Sequence, residues 1–446
     1  MEKSLSMEVV NVCAAGIDVG STSYFVSIGQ QEDQVREFGV YTKNHQEVIQ
    51  WLKSSNIVTV AMESTGSYWQ TLFSSLQNAG FDVLLVNGKY TKNVKGRKTD
   101  VLDCMWIQKL HSLGLLSGSF LPDEQARALQ SYYHHRQYLI RQSASYMQKI
   151  QQALRLMNLR LDVVLSDITG LSGTAIIESI LGGERNPINL ANLAHHRVKK
   201  SKSEIALALQ GDWKEDQLFI LEECYQFYCH YRTKITESDK KIEALLKTTL
   251  IGKPSLAELP EIKRKKRHKN TPTFELRPIA YHFFGVDLYQ IDGISDGTIL
   301  CMLCLLGDGV DRFPSAKHLV SWLNLAPNNK ISGGKVLSSR TPKGKNKLSL
   351  ALRQAANVIG NMKDHPLGSF FSRIAYRKGR GAAITATARK LATIIYHMLT
   401  KKVDFDPNYY AIEKTNHRKK NIRSLQRKIA SLELSANEKA FIFQGG

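Results

Sequence analysis

Apolar and polar residues alternate through the first part of the chain in a way that predicts strands separated by helices. On both sides of the polar turn Asp18-Val19-Gly20-Ser21-Thr22, apolar residues recur at every second position, which is typical of a β-hairpin. Helical spacing and short apolar runs then succeed one another. The predicted elements are a hairpin at 14–28, helices at 47–53 and 68–79, and strands at 57–62 and 82–86. This succession predicts an α/β domain with a mixed sheet over residues 10–125.

The rest of the chain has a mainly helical pattern. Apolar residues at helical spacing predict helices at 99–116, 123–159, 203–248, 315–323, 348–362 and 382–399. Long polar helices often pair as coiled coils or bridge domains. We therefore expect a helical or coiled-coil middle region over 126–273, with a basic loop at 253–271, and a mainly α-helical C-terminal domain over 274–402. A basic tail, 403–446, follows.

The net charge points to a polyanionic partner. The 446 residues include 61 Lys and Arg against 40 Asp and Glu, which gives a formal charge of +21 at pH 7. Such an excess destabilises the compact state by self-repulsion unless a polyanion neutralises it, and nucleic acid is the polyanion expected. Neither a membrane span nor a signal peptide is indicated, so we expect a cytoplasmic, nucleoid-associated protein with no membrane partner. Cys301 and Cys304 have CxxC spacing, but no second Cys or His pair at zinc-site spacing accompanies them, so all six cysteines are expected as reduced thiols.

Four acidic residues fall where an α/β sheet gathers functional side chains. Asp18 and Glu63 lie at the ends of predicted strands, and strand ends meet at a common crevice. Asp100 and Asp103 are three positions apart at a predicted helix start, so they share one helix face. Carboxylates that converge from rigid elements can hold Mg²⁺, with Mn²⁺ as an alternative. Each acid also has a structural interpretation, such as a helix cap for Asp100, and the residue types alone leave both open.

A basic, glycine-rich loop is predicted at 327–347. It contains Ser332-Gly333-Gly334, and glycines allow the backbone to approach a phosphate closely. Its cationic residues are Lys330, Lys335, Arg340, Lys343, Lys345 and Lys347. Two interpretations stay open from residue types: a loop that only contacts phosphate, or one that presents a serine for attack on phosphorus. The second requires that the serine proton be removed and the phosphate charge be neutralised.

Segments at both ends of the chain resemble one known family. The three segments Gly16-Ile17-Asp18-Val19-Gly20-Ser21, Met62-Glu63-Ser64-Thr65-Gly66 and Lys98-Thr99-Asp100-Val101-Leu102-Asp103 resemble the DEDD signature of a family of bacterial insertion-sequence transposases. Arg97 and Lys98 match the basic residues that commonly precede Thr-Asp in that family. The resemblance resumes over 291–356, where Leu325-Ala326-Pro327 precedes a Ser-Gly motif. Arg353 receives no role from it.

The resemblance implies a fold, a chemistry and partners. It implies a RuvC-like (RNase H-like) N-terminal domain whose Asp18, Glu63, Asp100 and Asp103 bind Mg²⁺, and a C-terminal domain whose Ser332 is the nucleophile. Gly333, Gly334 and the basic residues would then contact nucleic acid. Members of the family are similar to recombinases guided by an element-encoded bridge RNA that pairs with target and donor DNA. The expected partners are therefore double-stranded DNA and a guide RNA, and the expected intermediate is a covalent phosphoserine–DNA ester. The resemblance also implies a homodimer or homotetramer in which the two halves of a site come from different protomers.

Three other functions compete with this interpretation. A structure-selective nuclease of the Holliday-junction-resolvase kind would use the carboxylates without Ser332, and a covalent protein–DNA intermediate separates the two. An actin-like ATPase or sugar kinase would use the turn at Asp18 to Thr22 as a phosphate loop, but no second phosphate or adenosine loop is found. A non-catalytic protein that packages RNA or DNA would need only dispersed basic residues. The four ordered acids argue against that function.

Overall fold

The chain forms two compact units, Met1–Leu121 and Pro122–Gly446, each described here by itself. The computed structural model describes residues 8–88, 99–118, 124–251, 259, 261, 268–307, 309–342, 344, 346–362, 365–406, 418–419, 422–427 and 429–431. Most of the predicted basic loop at 253–271, and most of the predicted tail at 403–446, lie outside these residues. Within the described part of the chain, no helix combines the length and apolarity that crossing a membrane requires.

The N-terminal unit is a mixed five-stranded sheet with helices. Its strands are β1 (Ala14–Val19), β2 (Ser23–Ser27), β3 (Val35–Gly39), β4 (Thr59–Glu63) and β5 (Asp82–Val86), and its helices are α1 (Thr42–Ser54), α2 (Trp69–Asn78) and α3 (Asp100–Ser112). The spatial order is β3-β2-β1-β4-β5. Strands β1, β2 and β3 pair antiparallel, whereas β4 runs parallel to both β1 and β5. The mixed α/β sheet predicted from the alternating pattern is confirmed.

Side chains alternate between the two faces of this sheet, and the alternation decides what lies beside α3. Ile17 of β1 and Met62 of β4 are buried in the core that α1 and α2 cover. Since successive strand residues point to opposite faces, their neighbours along each strand face the other way. Thr59 is on that second face, where its hydroxyl lies 2.9 Å from Nε2 of His111 in α3. Helix α3 therefore covers the face that Asp18 and Glu63 share.

The C-terminal unit is almost entirely helical. Its helices are α4 (Glu124–Leu156), α5 (Leu161–Val164), α6 (Leu171–Leu181), α7 (Pro187–Asn192), α8 (Lys202–Ala208), α9 (Glu215–Thr249), α10 (Leu276–Phe284), α11 (Asp296–Leu306), α12 (Ala316–Trp322), α13 (Lys347–Asn361), α14 (Gly368–Lys378) and α15 (Arg380–Lys401). The long helices α4 and α9 pack along each other. One end of this pair joins a small core with α5 to α8, and the other end joins the large core of α10 to α15.

A buried ion pair ties the two long helices to the chain that follows them. Arg136 of α4 donates from Nε and Nη2 to the carboxylate of Asp239 in α9, and both side chains are almost fully buried. Arg136 also donates to the carbonyl oxygen of Asn270 at 3.0 Å, and the backbone N–H of Thr273 donates to Asp239 at 3.1 Å. The segment before α10 is thereby fixed against the helical pair.

Some elements differ from the sequence-based expectation. The helix predicted over 203–248 is two helices, α8 and α9, because the chain turns through 209–214. The segment 327–347 is not wholly irregular, since it contains the antiparallel strands β6 (Lys330–Ser332) and β7 (Lys335–Ser338). Strand β3 and helix α14 were not predicted. The described residues of the tail at 418–419, 422–427 and 429–431 are helical.

Candidate functional site

A glycine in β1 allows helix α3 to lie directly on the sheet. A Cβ atom at Gly16 would stand 2.5 Å from the carbonyl oxygen of Cys104 and 2.7 Å from Cα of Gln108, both in the backbone of α3. Glycine within a strand often marks such a close approach of another backbone. Gln108 then anchors the helix, because its side-chain N–H donates to the carbonyl of Ala14 at 3.1 Å. The distance between α3 and β1 is thus set by backbone contact rather than by side chains.

Asp18 and Glu63 lie at the same level on neighbouring parallel strands. Ile17 is paired with Met62, so the residues that follow them lie side by side, Asp18 one position before the end of β1 and Glu63 at the end of β4. Because Ile17 and Met62 face the α1 and α2 core, both carboxylates project towards the α3 face. Sequence alternation alone places the two acids at this edge.

The first turn of α3 brings two more carboxylates to that edge. The hydroxyl of Thr99 caps the helix by accepting from the backbone N–H of Leu102, at 3.3 Å. Asp100 and Asp103 then occupy the first turn, where the positive end of the helix dipole favours negative charge. One oxygen each of Asp18, Asp100 and Asp103 lies within 4.8 Å of the others. Three of the four predicted acids are thereby brought together.

Glu63 does not belong to this three-carboxylate cluster. Its carboxylate lies against Gly88, where a Cβ would stand 2.8 Å from Cδ of Glu63. Its Oε1 accepts a hydrogen bond from the hydroxyl of Thr65 at 3.4 Å. Glu63 therefore shares the strand-end edge with Asp18 but is oriented towards the end of β5. Arg97 and Lys98, the basic residues predicted to accompany the acids, lie outside the described residues.

The electrostatic effect of the cluster is visible in a neighbouring thiol. Burial, reinforced by the negative charges of Asp18 and Asp103, raises the pKa of Cys104 to about 12. Cys104 lies on the same side of α3 as Asp100 and Asp103 and makes one of the close backbone contacts with Gly16. The Cys104 thiol beside the carboxylates is consequently neutral at ordinary pH.

The cluster fits a divalent cation of the magnesium type. Mg²⁺ prefers oxygen ligands at about 2.0–2.1 Å, so two ligands on opposite sides of one ion stand roughly 4.2 Å apart. One oxygen each of Asp18, Asp100 and Asp103 lies within 4.8 Å of the others, which is close to that span. The donor set is purely carboxylate, which suits Mg²⁺ or Mn²⁺ better than a soft metal.

Ser332 lies at the tip of an exposed hairpin in the C-terminal unit. Ser332 and Lys335 are the last pair of β6 and β7, and Gly333 and Gly334 form the two-residue turn with φ of +52° and +75°. A hairpin turn with positive φ at both central residues requires glycine or a similarly permissive residue. The space around both glycines is open, since an added Cβ would meet no atom within 4 Å. Ser332 is therefore an exposed residue directly before an unobstructed glycine turn.

The predicted basic residues near Ser332 divide into three groups. Lys330, Lys335 and Arg340 are exposed on or beside the hairpin. Lys343 and Lys345 lie outside the described residues. Lys347 begins α13, where its ammonium lies 5.6 Å from the centre of the Tyr133 ring, and burial lowers the pKa of Lys347. Lys347 thus contacts the helical core of its own unit.

Two residues that shape the acidic cluster were missed from the sequence. Gly16 belongs to a motif recognised from the sequence, but its packing role was not predicted, although a glycine between apolar strand residues is itself a signal of close backbone approach. Gln108 carried no signal, because only the packed structure shows that it bridges α3 and β1.

Comparisons with known proteins match both units. Residues 15–159 match a transposase family model of the DEDD type of insertion element IS110, and residues 287–371 match a model described as transposase of the IS116/IS110/IS902 family. The pilin gene-inverting protein of Moraxella lacunata is 34% identical over 122 residues, which are 27% of this chain and 38% of that protein. The protein of the same name from Moraxella bovis gives the same values. An uncharacterized 43.6 kDa protein of insertion element IS110 from Streptomyces coelicolor is 31% identical over 114 residues, 25% of this chain and 28% of that protein. The matched stretch therefore spans little more than a third of the Moraxella relatives.

Proposed function

The chain belongs to the IS110 family of transposases, and from that premise we propose that it is a DNA transposase or recombinase that cleaves and rejoins DNA strands. The observation that carries the proposal is the cluster of Asp18, Asp100 and Asp103 at the edge of the mixed sheet, inside the segment that matches the DEDD model. The sheet order is consistent with an RNase H-like domain. The net charge of +21 suits a substrate made of phosphates.

The carboxylate cluster is proposed to hold Mg²⁺, with Mn²⁺ as a substitute. When bound, such an ion supplies positive charge that stabilises the phosphate as a strand is cut. Asp18 holds its ligand oxygen at the end of β1, and Asp100 and Asp103 hold theirs on α3. Glu63 is proposed to complete the set by turning from Gly88, since it already ends the neighbouring strand.

Ser332 is proposed as the nucleophile. Its oxygen forms a bond to phosphorus while the bond from that phosphorus to a deoxyribose oxygen breaks, and the serine proton ends on the departing DNA hydroxyl. The number of phosphoester bonds is unchanged, so the reverse reaction can rejoin a strand without ATP. The exposed position of Ser332 at a glycine turn, with Lys330 and Lys335 beside it, supports this role.

The partners are proposed from the family resemblance. They are target and donor double-stranded DNA, a guide RNA encoded by the element, and further copies of the chain in a dimer or tetramer. The long pair α4 and α9 offers a surface for assembly. If a guide RNA exists, protein purified from its host will carry a discrete RNA that maps beside its own gene. RNA of random genomic origin would contradict this part of the proposal.

A plasmid that carries the gene's flanking DNA provides the test of strand cleavage. Wild-type protein is expected to cut it with Mg²⁺ or Mn²⁺ and to be inactive in chelator. Asp18→Asn, Asp100→Asn, Asp103→Asn and Glu63→Gln each remove one charge and should abolish cutting, because the ligand set loses an anionic oxygen. Asp33→Asn is the matched control, since Asp33 is exposed elsewhere in the same unit. Cutting that survives in three of the four site variants, or that is unaffected by chelator, would overturn the metal-site proposal.

A further inference from the structure

A groove in the C-terminal unit lies between α14, α15 and the base of the Ser332 hairpin. Its volume is about 1290 Å³, larger than the roughly 300–1,000 Å³ of a small-molecule pocket. Six cations line it: Arg340, Arg373, Arg377, Lys378, Arg389 and Lys390. None of these six belongs to α13 or to the tip of the hairpin, so the groove is a separate feature from the serine turn.

Four of the six groove cations lie apart from the acidic residues that the structure describes. Among the described residues that line it, there is no Asp or Glu. Arg340, Arg377, Lys378 and Arg389 form no salt bridge with any carboxylate that the structure describes. Like charges brought together in this way repel one another unless an anion lies between them. The groove is therefore built for an extended anionic ligand.

The two helices that form the groove are held in place from behind. Gly379, with φ of +83°, makes the sharp turn between α14 and α15 that only glycine adopts without strain. Arg380 then donates to the side-chain oxygens of Asn357 and Asn361 on α13, at 2.7 Å and 2.6 Å. Arg353 of α13 donates to the hydroxyl of Thr385 on the groove floor at 3.1 Å. Arg353 is thus a positioning residue for the groove.

The floor and wall of the groove differ in character. Along α15 the lining includes Gly381, Ala382 and Ala386, whose small side chains allow a backbone to approach closely. On α14 the half-buried Phe370 ring carries the Lys390 ammonium 4.5 Å and the Arg373 guanidinium 5.7 Å from its centre. The Phe370 ring and these two cations therefore form one aromatic and cationic patch, a combination that is typical of grooves that bind nucleic acid strands.

We propose that this groove binds the sugar-phosphate backbone of the DNA strand next to the phosphate that Ser332 attacks. This inference rests on the proposed function. The hairpin connects the two places: Asn328 N–H donates to the Arg340 carbonyl at its base, and Ser332 is at its tip. At about 3.3 Å per extended residue, Lys335 to Arg340 spans roughly 17 Å. That length equals the axial rise of about five base pairs of B-form DNA, at 3.4 Å each. The groove thus fixes the strand at one point while the serine acts at another.

The charge test uses full-length protein with Ser332→Ala, so that binding is measured without strand cleavage. Arg377→Gln/Lys378→Gln removes two groove cations, and Lys240→Gln/Lys241→Gln removes two exposed cations of α9 as the matched control. Fluorescence anisotropy measures the binding of labelled duplex DNA at salt concentrations from about 0.05 M to about 0.3 M, a range around the physiological ionic strength. The groove variant is expected to bind DNA about tenfold more weakly, with a slope of log K against log salt smaller by about two. The control should match the parent, and equal behaviour of the two double variants would overturn the proposal.

A cross-link identifies the nucleic acid in the groove. Phe370 is replaced by a photoreactive phenylalanine analogue, and Phe219, exposed on α9, carries the same analogue as the control. Duplex DNA and RNA of the same sequence compete at equal concentration. A DNA adduct at position 370 that exceeds both its RNA adduct and the adducts at position 219 supports the proposal. A predominant RNA adduct, or none above the control, overturns it. Failure of the proposed function would instead appear as cleavage that persists in Ser332→Ala, and it would leave this result unchanged.

Discussion

Replacing Gly16 with alanine tests how the fold positions the acidic cluster. The new Cβ would stand 2.5 Å from the Cys104 carbonyl and 2.7 Å from Cα of Gln108, and both are backbone atoms of α3 that cannot rotate away. Ordinary contact begins near 3.4 Å, so α3 must withdraw from β1 by about 1 Å. Asp100 and Asp103 move with the helix, whereas Asp18 stays with the strand. The three oxygens then move apart, beyond the reach of the single ion that the proposed function assigns to them.

The substitution is expected to slow strand cleavage while the protein stays folded. A misplacement of about 1 Å in a reacting arrangement lowers the rate by roughly 100-fold. Overpacking of this kind destabilises a fold by about 1–3 kcal/mol, which a unit of ordinary stability survives. Gly16→Ala is therefore expected to remain folded, to bind DNA normally, and to cut it about 100-fold more slowly in Mg²⁺.

Gly80→Ala is the matched control for this experiment. Gly80 has φ of +93°, and an added Cβ there would meet nothing within 4 Å. The strain costs about 1–2 kcal/mol without touching α3. Cleavage rates on flanking-DNA plasmid are compared with thermal unfolding of both variants. Normal cutting by Gly16→Ala, or an equal loss in Gly80→Ala, would refute the argument that backbone contact at Gly16 sets the carboxylate spacing.

Two further predictions concern buried groups. Asp239→Ala should lower the free energy of unfolding by about 3–5 kcal/mol, measured by urea denaturation, because Arg136 is left buried without its partner. Glu237→Ala, which breaks the exposed pair of Lys234 and Glu237, is the control. An equally small effect of the two substitutions would contradict the prediction. In the folded protein at pH 8, a thiol reagent should label the exposed Cys13 and Cys229 at once but not Cys104. Burial raises the pKa of Cys104 to about 12, so the thiol reacts only as the pH approaches that value. Prompt labelling of Cys104 would contradict its burial beside the carboxylates.

The acidic site was more predictable than its surroundings, for physical reasons. Alternation along β1 and β4 fixes the strand ends at Asp18 and Glu63, and helical spacing fixes the shared face of Asp100 and Asp103. That α3 lies on β1 at Gly16 depends on contact between residues far apart in sequence. For the same reason the orientation of Glu63 towards Gly88 could not be read from its position.

The elements that were missed carry weaker local signals. Strand β3 is a partly exposed edge strand with Arg36 and Glu37 in it, and its apolar alternation is correspondingly faint. The hairpin at Ser332 did carry a signal, since Gly333-Gly334 between short β-prone runs is typical of a two-residue turn. The cationic groove arises only when α14 folds back on α15, so no segment of sequence contains it.

Trapping of the covalent intermediate tests the central claim most directly. If one strand of a DNA substrate is interrupted next to the cleavage position, the piece released by cleavage dissociates. The phosphoserine ester then cannot be rejoined to it, and the protein remains attached to the DNA through denaturation. Ser338→Ala is the control within the same hairpin, because Ser338 pairs with Lys330 away from the glycine turn. The account predicts that peptide mapping finds DNA on Ser332, that Ser332→Ala forms no adduct, and that Ser338→Ala forms it normally. DNA attached at Ser338, or cleavage in Mg²⁺ without any adduct, would contradict it and favour a nuclease that uses the carboxylates alone.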